Sequence, residues 1–451
     1  MAAAASSTDR PGALDITRRL TEICGPPFAR LAGPADEVAG RPARWVAVPG
    51  GPHAAAEVLR LAARHDLSVV PRGAGTKIDW GAAPDRVDIM LDTGRLAGIG
   101  HEPLAAPTAE VGAGTPLRAV QATLERTGQR LAVDAPSPGA TLGGVLAAGE
   151  AGPLRHRHGS PCDQLLGVRY LDADGELVNA GGGIDGLELA RLLCGSQGAL
   201  GVLVSATLRV QTVPASRIWV TRPVWTPLEV HDLVRTVLAA RLDPAAVELD
   251  LPAGAGPRPR QGGRAESMAR HPSMTGRASV GPAGAGAGRL AVLLEGGPAD
   301  VAERADRLVT LLGGRSGVSH SAPQWWRRYP FGPGDTALRI EVPIADLHAA
   351  VYALRDAAGA PVPVRGSAGL GVVHAALPGA MAPDRVASIL AAVRGVLLAR
   401  QGRCVVVSAP AAVRRAVDLW GELAGLPRLR AAKEHLDPHH RLAPGRLPGG
   451  L

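Results

Sequence analysis

The segment Pro71-Arg72-Gly73-Ala74-Gly75-Thr76-Lys77 has the residue types of a phosphate-binding loop. Glycine adopts positive φ without a steric cost and leaves backbone N–H groups exposed, so such a turn can form a nest of donors around a phosphate. Lys77 would add positive charge. A tight turn after a strand, with no ligand, explains the same residues equally well. A Walker A loop is excluded, because no Gly-Lys-Ser/Thr occurs here.

Further glycine-dense turns follow along the chain. Residues 181–186 (GGGIDG) fit the G-x-G-x-x-G fingerprint of dinucleotide-binding folds. No acidic residue follows about 20 residues later, where a ribose contact would require one, so a loop is the favoured interpretation. The other turns are Thr141-Leu142-Gly143-Gly144, residues 152–163 (GPLRHRHGSPCD) and residues 195–201 (GSQGALG).

Candidates for acid–base and anion-binding chemistry are few. His374 ends the run 366–374 (GSAGLGVVH) and Arg365 precedes it, so the two are candidates for a base and a cation. A structural histidine is the alternative for His374. His435, His439 and His440 could suggest a metal tract, but the segment is better interpreted as the C-terminal tail. The four cysteines lie too far apart for a zinc pair or a redox pair, and we predict no metal site.

Composition excludes several classes of protein. The 451 residues carry 49 Lys+Arg against 41 Asp+Glu, and the only lysines are Lys77 and Lys433. Aromatic residues are 3% of the chain and the arginines are spread along it, so we expect no nucleic-acid partner. No stretch approaches 18 uncharged apolar residues, which predicts no membrane span and no signal peptide. We therefore expect a cytoplasmic protein.

The pattern of elements predicts two α+β regions. A strand at 45–49, a helix at 53–66 and a strand at 67–70 lead directly into the glycine loop at 71–76. Strands and helices alternate again between 218 and 357. Residues 251–288 contain almost no large apolar side chains, which predicts a disordered insertion. The N-terminal residues 1–36 are expected to be flexible.

Taken in order, the glycine-dense turns resemble the FAD-binding domain of the vanillyl-alcohol oxidase/PCMH flavoprotein superfamily, over residues 44–213. The loop at 71–81 (PRGAGTKIDWG) and the tail segments Leu436-Asp437-Pro438 and 442–446 (LAPGR) are similar to the FAD-binding E subunits of bacterial glycolate oxidases. The resemblance implies an α+β fold: a two-subdomain PCMH-type FAD-binding domain at 37–215, a cap-like domain at 216–430, and a tail at 431–451 that returns to the first domain.

The resemblance also implies a cofactor and its binding residues. FAD would be held by three groups of residues: Pro71, Arg72, Gly73, Ala74, Gly75, Thr76 and Lys77; Thr141, Leu142, Gly143 and Gly144; and Gly152, Gly159, Ser160, Asp163, Gly201, Val202 and Leu203. Flavinylated relatives have histidine in or near the first loop. Thr76 stands there in this chain, so we expect non-covalent FAD.

Departures from the family pattern concern the polar groups around the flavin. Residues 182–188 (GGIDGLE) replace a more polar segment, and Cys162 stands where relatives commonly have arginine. The resemblance implies a subunit that acts on a small hydroxy acid beside partner flavoprotein and iron–sulfur subunits. A self-sufficient FAD-dependent dehydrogenase of an alcohol or hydroxy acid is the alternative. A third is a structural subunit whose segment 325–331 contacts a partner.

Overall fold

The computed structural model describes residues 13–102, 107–181, 183–254 and 287–451. In the first part of the chain these residues form the following elements, in order: α1 Ala13–Cys24, β1 Ala29–Leu31, β2 Glu37–Val38, β3 Arg41–Pro42, β4 Trp45–Ala47, α2 Pro52–Arg64, β5 Val69–Arg72, β6 Ile89–Asp92, β7 Ile99–Gly100, β8 Thr108–Gly112, α3 Leu117–Glu125, β9 Gln129–Arg130, α4 Leu142–Ala148, α5 Arg155–His158, β10 Leu165–Leu171, β11 Leu177–Gly181, α6 Ile184–Leu193, β12 Val202–Arg209 and β13 Gln211–Thr212.

The second part continues with β14 Ser216–Val224, α7 Pro227–Ala239, β15 Ala246–Leu251, β16 Gly288–Gly296, α8 Pro298–Leu312, β17 Gly317–Ser319, β18 Thr336–Glu341, α9 Leu347–Ala358, β19 Val364–Ser367, β20 Val372–Leu377, α10 Pro383–Leu398, β21 Arg403–Ser408, α11 Ala411–Ala416 and α12 Leu426–Leu436. Short 3₁₀ turns lie at Pro26–Phe28 and Ile344–Asp346.

The first domain contains a four-stranded and a five-stranded sheet, together with the two-stranded pairs β2-β3 and β9-β13. The smaller has the order β1-β4-β6-β5, with β4 and β5 parallel to β6. The larger is antiparallel, in the order β11-β10-β12-β8-β7. The strands of the small sheet carry mainly buried apolar side chains, as expected for parallel strands covered by helices such as α2. The glycine loop follows directly from the end of β5, at the boundary between the two sheets.

The second domain is an eight-stranded antiparallel sheet, in the order β17-β14-β16-β15-β19-β20-β18-β21. Strands β15, β18 and β19 alternate apolar and polar residues over much of their length, so the two faces of the sheet differ there. Leu249, Val364 and Val373 lie on one face, in a large apolar core with residues of helices α7, α8, α9 and α10. The other face carries polar residues and turns toward the first domain. The α+β fold class predicted from the sequence is confirmed.

Two features tie the domains together. Arg130 of β9 forms a bidentate ion pair with Glu295 of β16, at 2.8 and 2.5 Å, and both side chains are buried. Trp326 is buried against Trp219 of β14, with ring centroids 6.1 Å apart, in a cluster that also includes Leu154 of the first domain. The segment at 325–331 therefore packs within the chain at Trp326, and this tryptophan is not free to contact a partner subunit.

The C-terminal tail lies on the first domain. Lys433 of α12 is fully buried and donates to Asp437 at 2.6 Å, to the Ala199 carbonyl at 2.8 Å and to the Leu442 carbonyl at 2.7 Å. Val69 of β5 and the tail exchange backbone hydrogen bonds, since Val69 N–H donates to the Arg441 carbonyl and Ala443 N–H donates to the Val69 carbonyl. These contacts bring the last residues of the chain to the strand that precedes the glycine loop.

The structure corrects one expected segment. Residues 13–36 are not a flexible extension, because α1 buries Ile16 and Leu20 in an apolar cluster and β1 pairs with β4. The predicted disordered insertion at 251–288 falls almost entirely outside the described residues. Its described ends are ordered: Leu251 is the last residue of β15 and Gly288 the first of β16.

Candidate functional site

An open cleft lies where β5, α4 and the turn before β12 meet, and we call it the glycine cleft. It contains about 910 Å³ of empty space, a volume that includes the solvent at its open mouth. All of residues 71–77 line it, together with Thr141, Gly143, Gly144, Gly201 and Leu203. These residues come from three separate segments of the sequence. The fold therefore brings together most of the positions that the resemblance implied for FAD.

The loop after β5 presents unpaired backbone donors to this cleft. In the described part of the chain, the N–H groups of Gly73, Ala74, Gly75 and Thr76 donate to no protein acceptor. Gly75 has φ +70°, a conformation that favours glycine. A row of free N–H groups at a glycine turn is the donor arrangement that suits a pyrophosphate.

Gly73 is required for a different reason from the one that its sequence context suggests. Its φ is not in the left-handed region. A Cβ at this position would lie 2.3 Å from Thr141 Oγ1, far inside contact distance. Thr141 is itself fixed as the N-cap of α4, since its Oγ1 accepts from the Gly144 N–H at 3.3 Å. Glycine at 73 therefore lets the loop lie directly against the start of α4.

The cations that line the glycine cleft are all paired within the protein. Arg72 binds Asp92 at 2.9 Å and Asp36 at 3.2 Å. Lys77 is buried in an ion pair with Glu150 and donates to Ser137 Oγ at 2.6 Å. Lys77 therefore does not offer a free charge to a phosphate, contrary to the expectation from sequence. Backbone N–H groups are left as the donors for a phosphate at the loop.

Arg446 of the tail also lines the cleft, and its guanidinium is held in place. It donates to the carbonyls of Ile78 at 3.0 Å and Trp80 at 2.8 Å, and to Gln197 Oε1 at 3.1 Å. Burial lowers the pKa of Arg446 to about 10, so it stays charged at neutral pH. This arginine connects the glycine loop to the turn at 195–201.

Some of the residues implied by the resemblance lie elsewhere. Leu142 and Val202 are fully buried in apolar clusters, so their side chains do not reach the cleft. Gly159, Ser160 and Asp163 form a turn of their own, in which Asp163 accepts from the Ser160 N–H and hydroxyl at 2.8 and 2.7 Å. Gly152 lines a different cavity, described below. Their side chains do not line the glycine cleft, and their role in holding FAD stays a prediction.

Several lining residues were missed from the sequence. Ser196, Gln197 and Gly198 form part of the wall, as do Trp80 and Arg446. Gly198 has φ +76°, and a Cβ there would lie 2.9 Å from Pro71, so this glycine sits directly behind the loop. The dense spacing of glycines at 195–201 was the available signal for this turn.

A second cavity lies between the domains, and we call it the arginine pocket. It has about 480 Å³ of empty space and four arginines in its lining: Arg155, Arg327, Arg328 and Arg365. The polar face of the second sheet forms its floor, through Glu248, Ser367 and His374. The strand register explains why these residues lie together, because Arg365 is opposite His374 and Glu248 is opposite Ser367 on neighbouring strands.

The two predicted catalytic candidates have different surroundings. Arg365 is ion-paired with Asp250 at 2.8 Å and donates to the Tyr329 carbonyl at 3.1 Å, so it holds the segment at 325–331 in place. His374 makes no side-chain hydrogen bond with another described residue. Burial and the nearby cations Arg339, Arg155 and Lys77 lower the pKa of His374 to about 3, which keeps the imidazole neutral.

The sequence analysis missed three polar residues of this pocket. The side chain of Arg155 forms no ion pair or hydrogen bond with the described residues, although it lies close enough to lower the pKa of His374. Glu248 is buried, and burial raises its pKa to about 8, with the neighbouring Asp134 carboxyl adding to the shift. Glu248 Oε1 and Ser367 Oγ are buried without a hydrogen-bond partner among the described residues. The two side chains lie close enough to interact with each other, and both residues line the pocket.

A polar and aromatic wall separates the two cavities. Lys77 and Trp80 line the glycine cleft, and Tyr329 lines the arginine pocket. Tyr329 donates to Glu150 at 2.9 Å, and Glu150 is also the partner of Lys77. The rings of Tyr329 and His374 lie 4.9 Å apart, edge to face. The wall is thin, since side chains of one cavity contact those of the other.

Comparison with known proteins identifies the cofactor of the first domain. Residues 43–181 match the family described as FAD binding domain. A solved structure of alkyldihydroxyacetonephosphate synthase superposes with a TM-score of 0.62 over 90% of this chain and 77% of that chain; at 15% identity, this shows the fold. Residues 43–181 are therefore assigned to an FAD-binding domain, and FAD is the cofactor of this domain. The free N–H groups at 73–76 and the close approach at Gly73 fit FAD as its cofactor.

Two of the similar proteins have names that refer to the oxidation of hydroxy acids. Glycolate oxidase subunit GlcE of Escherichia coli is 39% identical over 117 residues, which are 25% of this chain and 33% of that protein. D-lactate dehydrogenase of Archaeoglobus fulgidus is 30% identical over 172 residues, 37% of this chain and 38% of that protein. The matches thus span little more than a third of the length of these relatives.

Two further observations concern metals and membranes. Among the residues described, no group of three or more His, Cys, Asp or Glu side chains is arranged to hold a metal ion. None of the helices in the described ranges is both long and apolar enough to cross a membrane.

Proposed function

We propose that this chain is an FAD-dependent oxidoreductase that oxidises a small hydroxy acid, with FAD in the glycine cleft and the acid in the arginine pocket. The observation that carries the proposal is the contact between the two cavities through Lys77, Trp80 and Tyr329. The curated relatives named for glycolate and D-lactate support the substrate class. FAD, when bound, accepts the two electrons that leave the substrate carbon.

The residues of the arginine pocket suit the substrate side of this reaction. A guanidinium holds a carboxylate with paired hydrogen bonds, which fixes the orientation of the acid. A ring nitrogen of His374 would take the proton of the substrate hydroxyl. Its pKa is low first because the ring is buried and then because Arg339, Arg155 and Lys77 lie nearby, so a carboxylate that offsets the charge of these cations would raise its basicity.

We further propose that the chain works as a subunit, as the likeness to GlcE suggests, beside partner flavoprotein and iron–sulfur subunits in the cytoplasm. A self-sufficient dehydrogenase is the second candidate. It is favoured by one observation: His374 and the arginines lie in one pocket of this chain, so no partner residue is needed to assemble them.

An anaerobic titration of the isolated flavoprotein tests these proposals. Glycolate, D-lactate and L-lactate are added in turn, and the visible absorbance of the flavin is followed. The subunit hypothesis predicts little or slow bleaching by the chain alone and rapid bleaching once partner subunits are restored. Rapid bleaching of the lone chain that His374→Ala reduces about 10²–10⁴-fold would favour the self-sufficient enzyme. No bleaching in either preparation would contradict the proposed oxidation of hydroxy acids.

A further inference from the structure

The charge of the arginine pocket is larger than one carboxylate can neutralise. Among its four arginines, only Arg365 has a carboxylate partner, Asp250, in the described residues. Arg155, which is half-buried, and Arg327 and Arg328, which are exposed, form no ion pair or side-chain hydrogen bond within the described chain. Two or more unpaired guanidinium groups in one small cavity favour a ligand with more than one negative charge.

The acidic residue of the pocket does not supply the missing negative charge. Glu248 lines the cavity, but burial raises its pKa to about 8, so it is mostly protonated at neutral pH. In that form it is a hydrogen-bond donor. Ser367 beside it is 4% exposed and lines the same cavity. The floor of the pocket therefore offers donors to oxygen atoms of a ligand.

Arg155 is the best placed of the unpaired arginines. It lines the arginine pocket and also a larger open cavity, whose lining includes Arg339 and Arg403. Val372 is shared by the same two cavities. Arg155 thus lies where the larger cavity and the arginine pocket meet, and its charge acts on both.

We infer that the arginine pocket takes a dianion, a short dicarboxylate bearing the hydroxyl group, in preference to a monocarboxylic acid. One carboxylate is held by Arg155 and the other by the arginines of the segment at 325–331, with Ser367 and Glu248 donating to its oxygens. The identity of the pocket as the substrate site rests on the proposed function. The preference for two charges rests on the lining of the pocket.

Binding of compounds that cannot be oxidised tests the inference without turnover. Acetate, malonate, succinate and glutarate are titrated into the oxidised flavoprotein by calorimetry at constant ionic strength. The best dicarboxylate is expected to bind at least tenfold tighter than acetate. A ratio near one in the unmodified protein would overturn the inference, and this outcome depends on no variant.

Two variants on the same short helix locate the effect. Arg155→Gln is expected to bring the ratio of the two dissociation constants down to threefold or less, with most of the change in the dicarboxylate. Arg157→Gln is the matched control, since Arg157 points to Asp243, with a 2.8 Å ion pair, and does not line the pocket. An equal loss of affinity for both ligand types in Arg155→Gln, or the same effect in Arg157→Gln, would also overturn the inference.

The outcomes separate this inference from the proposed function. If dicarboxylates bind tightly and no hydroxy acid with one or two carboxylates bleaches the flavin, either in the lone chain or with partner subunits restored, the dianion site stands and the oxidation is wrong. If monocarboxylic hydroxy acids bleach the flavin while succinate and its homologues bind no better than acetate, the oxidation stands and the preference for two charges is wrong.

Discussion

Replacement of Gly73 by alanine should loosen FAD through a single steric contact. The new Cβ would lie 2.3 Å from Thr141 Oγ1, whereas ordinary contact begins near 3.4 Å, so the loop or the start of α4 must move by about 1 Å. Thr141 cannot simply turn away, because its hydroxyl oxygen caps α4 through the Gly144 N–H. Overpacking of this size costs about 1–3 kcal/mol, which corresponds to a loss of roughly 5–150-fold in affinity.

The steric account also predicts a result that a general loss of stability would not produce. In Gly73→Ala/Thr141→Ala the offending oxygen is gone and the remaining Thr141 Cβ position, 3.5 Å away, is tolerable. The double variant should therefore bind FAD more tightly than Gly73→Ala alone, even though loss of the N-cap destabilises the helix by about 0.5–2 kcal/mol. Dissociation constants are measured by titrating deflavinated protein with FAD and following the flavin fluorescence.

A glycine in open space serves as the control. Gly51 precedes α2 with extended backbone and has no atom within 4 Å of an added Cβ, so Gly51→Ala should leave the affinity for FAD unchanged. Unaltered affinity in Gly73→Ala, or a double variant as weak as Gly73→Ala, would refute the steric account of the loop.

Three more predictions follow from other contacts. Lys433→Met should lower the free energy of unfolding by about 3–5 kcal/mol, because it leaves the buried Asp437 carboxylate without its cation. Urea denaturation measures this change, and a decrease below about 1 kcal/mol would contradict a tail held by this pair. Affinity for succinate should fall as pH rises above about 8, since Glu248 then ionises and adds negative charge to the arginine pocket. Glu248→Gln should remove this pH dependence of the affinity. If the variant shows the same pH profile as the unmodified protein, the effect belongs to another group. Acid denaturation should release all the flavin into solution, as expected where Thr76 replaces a flavinylated histidine, and yellow colour retained in the precipitate would indicate a covalent bond.

Local sequence was sufficient to predict the glycine cleft in outline. Residues 71–77 and 141–144 are contiguous segments whose glycines mark turns, and the structure places them in one wall. The reason for Gly73 could not be read from its segment, because the atom that excludes a Cβ belongs to Thr141. The pairing of Lys77 was missed for the same reason: Glu150 has no feature in the sequence that marks it as a partner.

The arginine pocket was less accessible to sequence reasoning, because its residues are distant along the chain. Arg155, Glu248, Arg327 and His374 meet only through the order of the second sheet and its packing on the first domain. One signal was available. Strands such as 246–251 (AVELDL) and 364–367 (VRGS) place polar residues at alternate positions, which predicts one polar face. What that face meets depends on tertiary structure.

The central claim is that the flavin and the acid occupy adjoining cavities, and the visible spectrum of the oxidised flavoprotein tests it most directly. Titration with a dicarboxylate should produce a saturable shift of the flavin bands, with the same dissociation constant that calorimetry gives. Arg155→Gln should weaken both signals together, while Arg157→Gln should change neither. Tight binding by calorimetry with no change in the flavin spectrum would place the ligand away from the flavin and contradict the account.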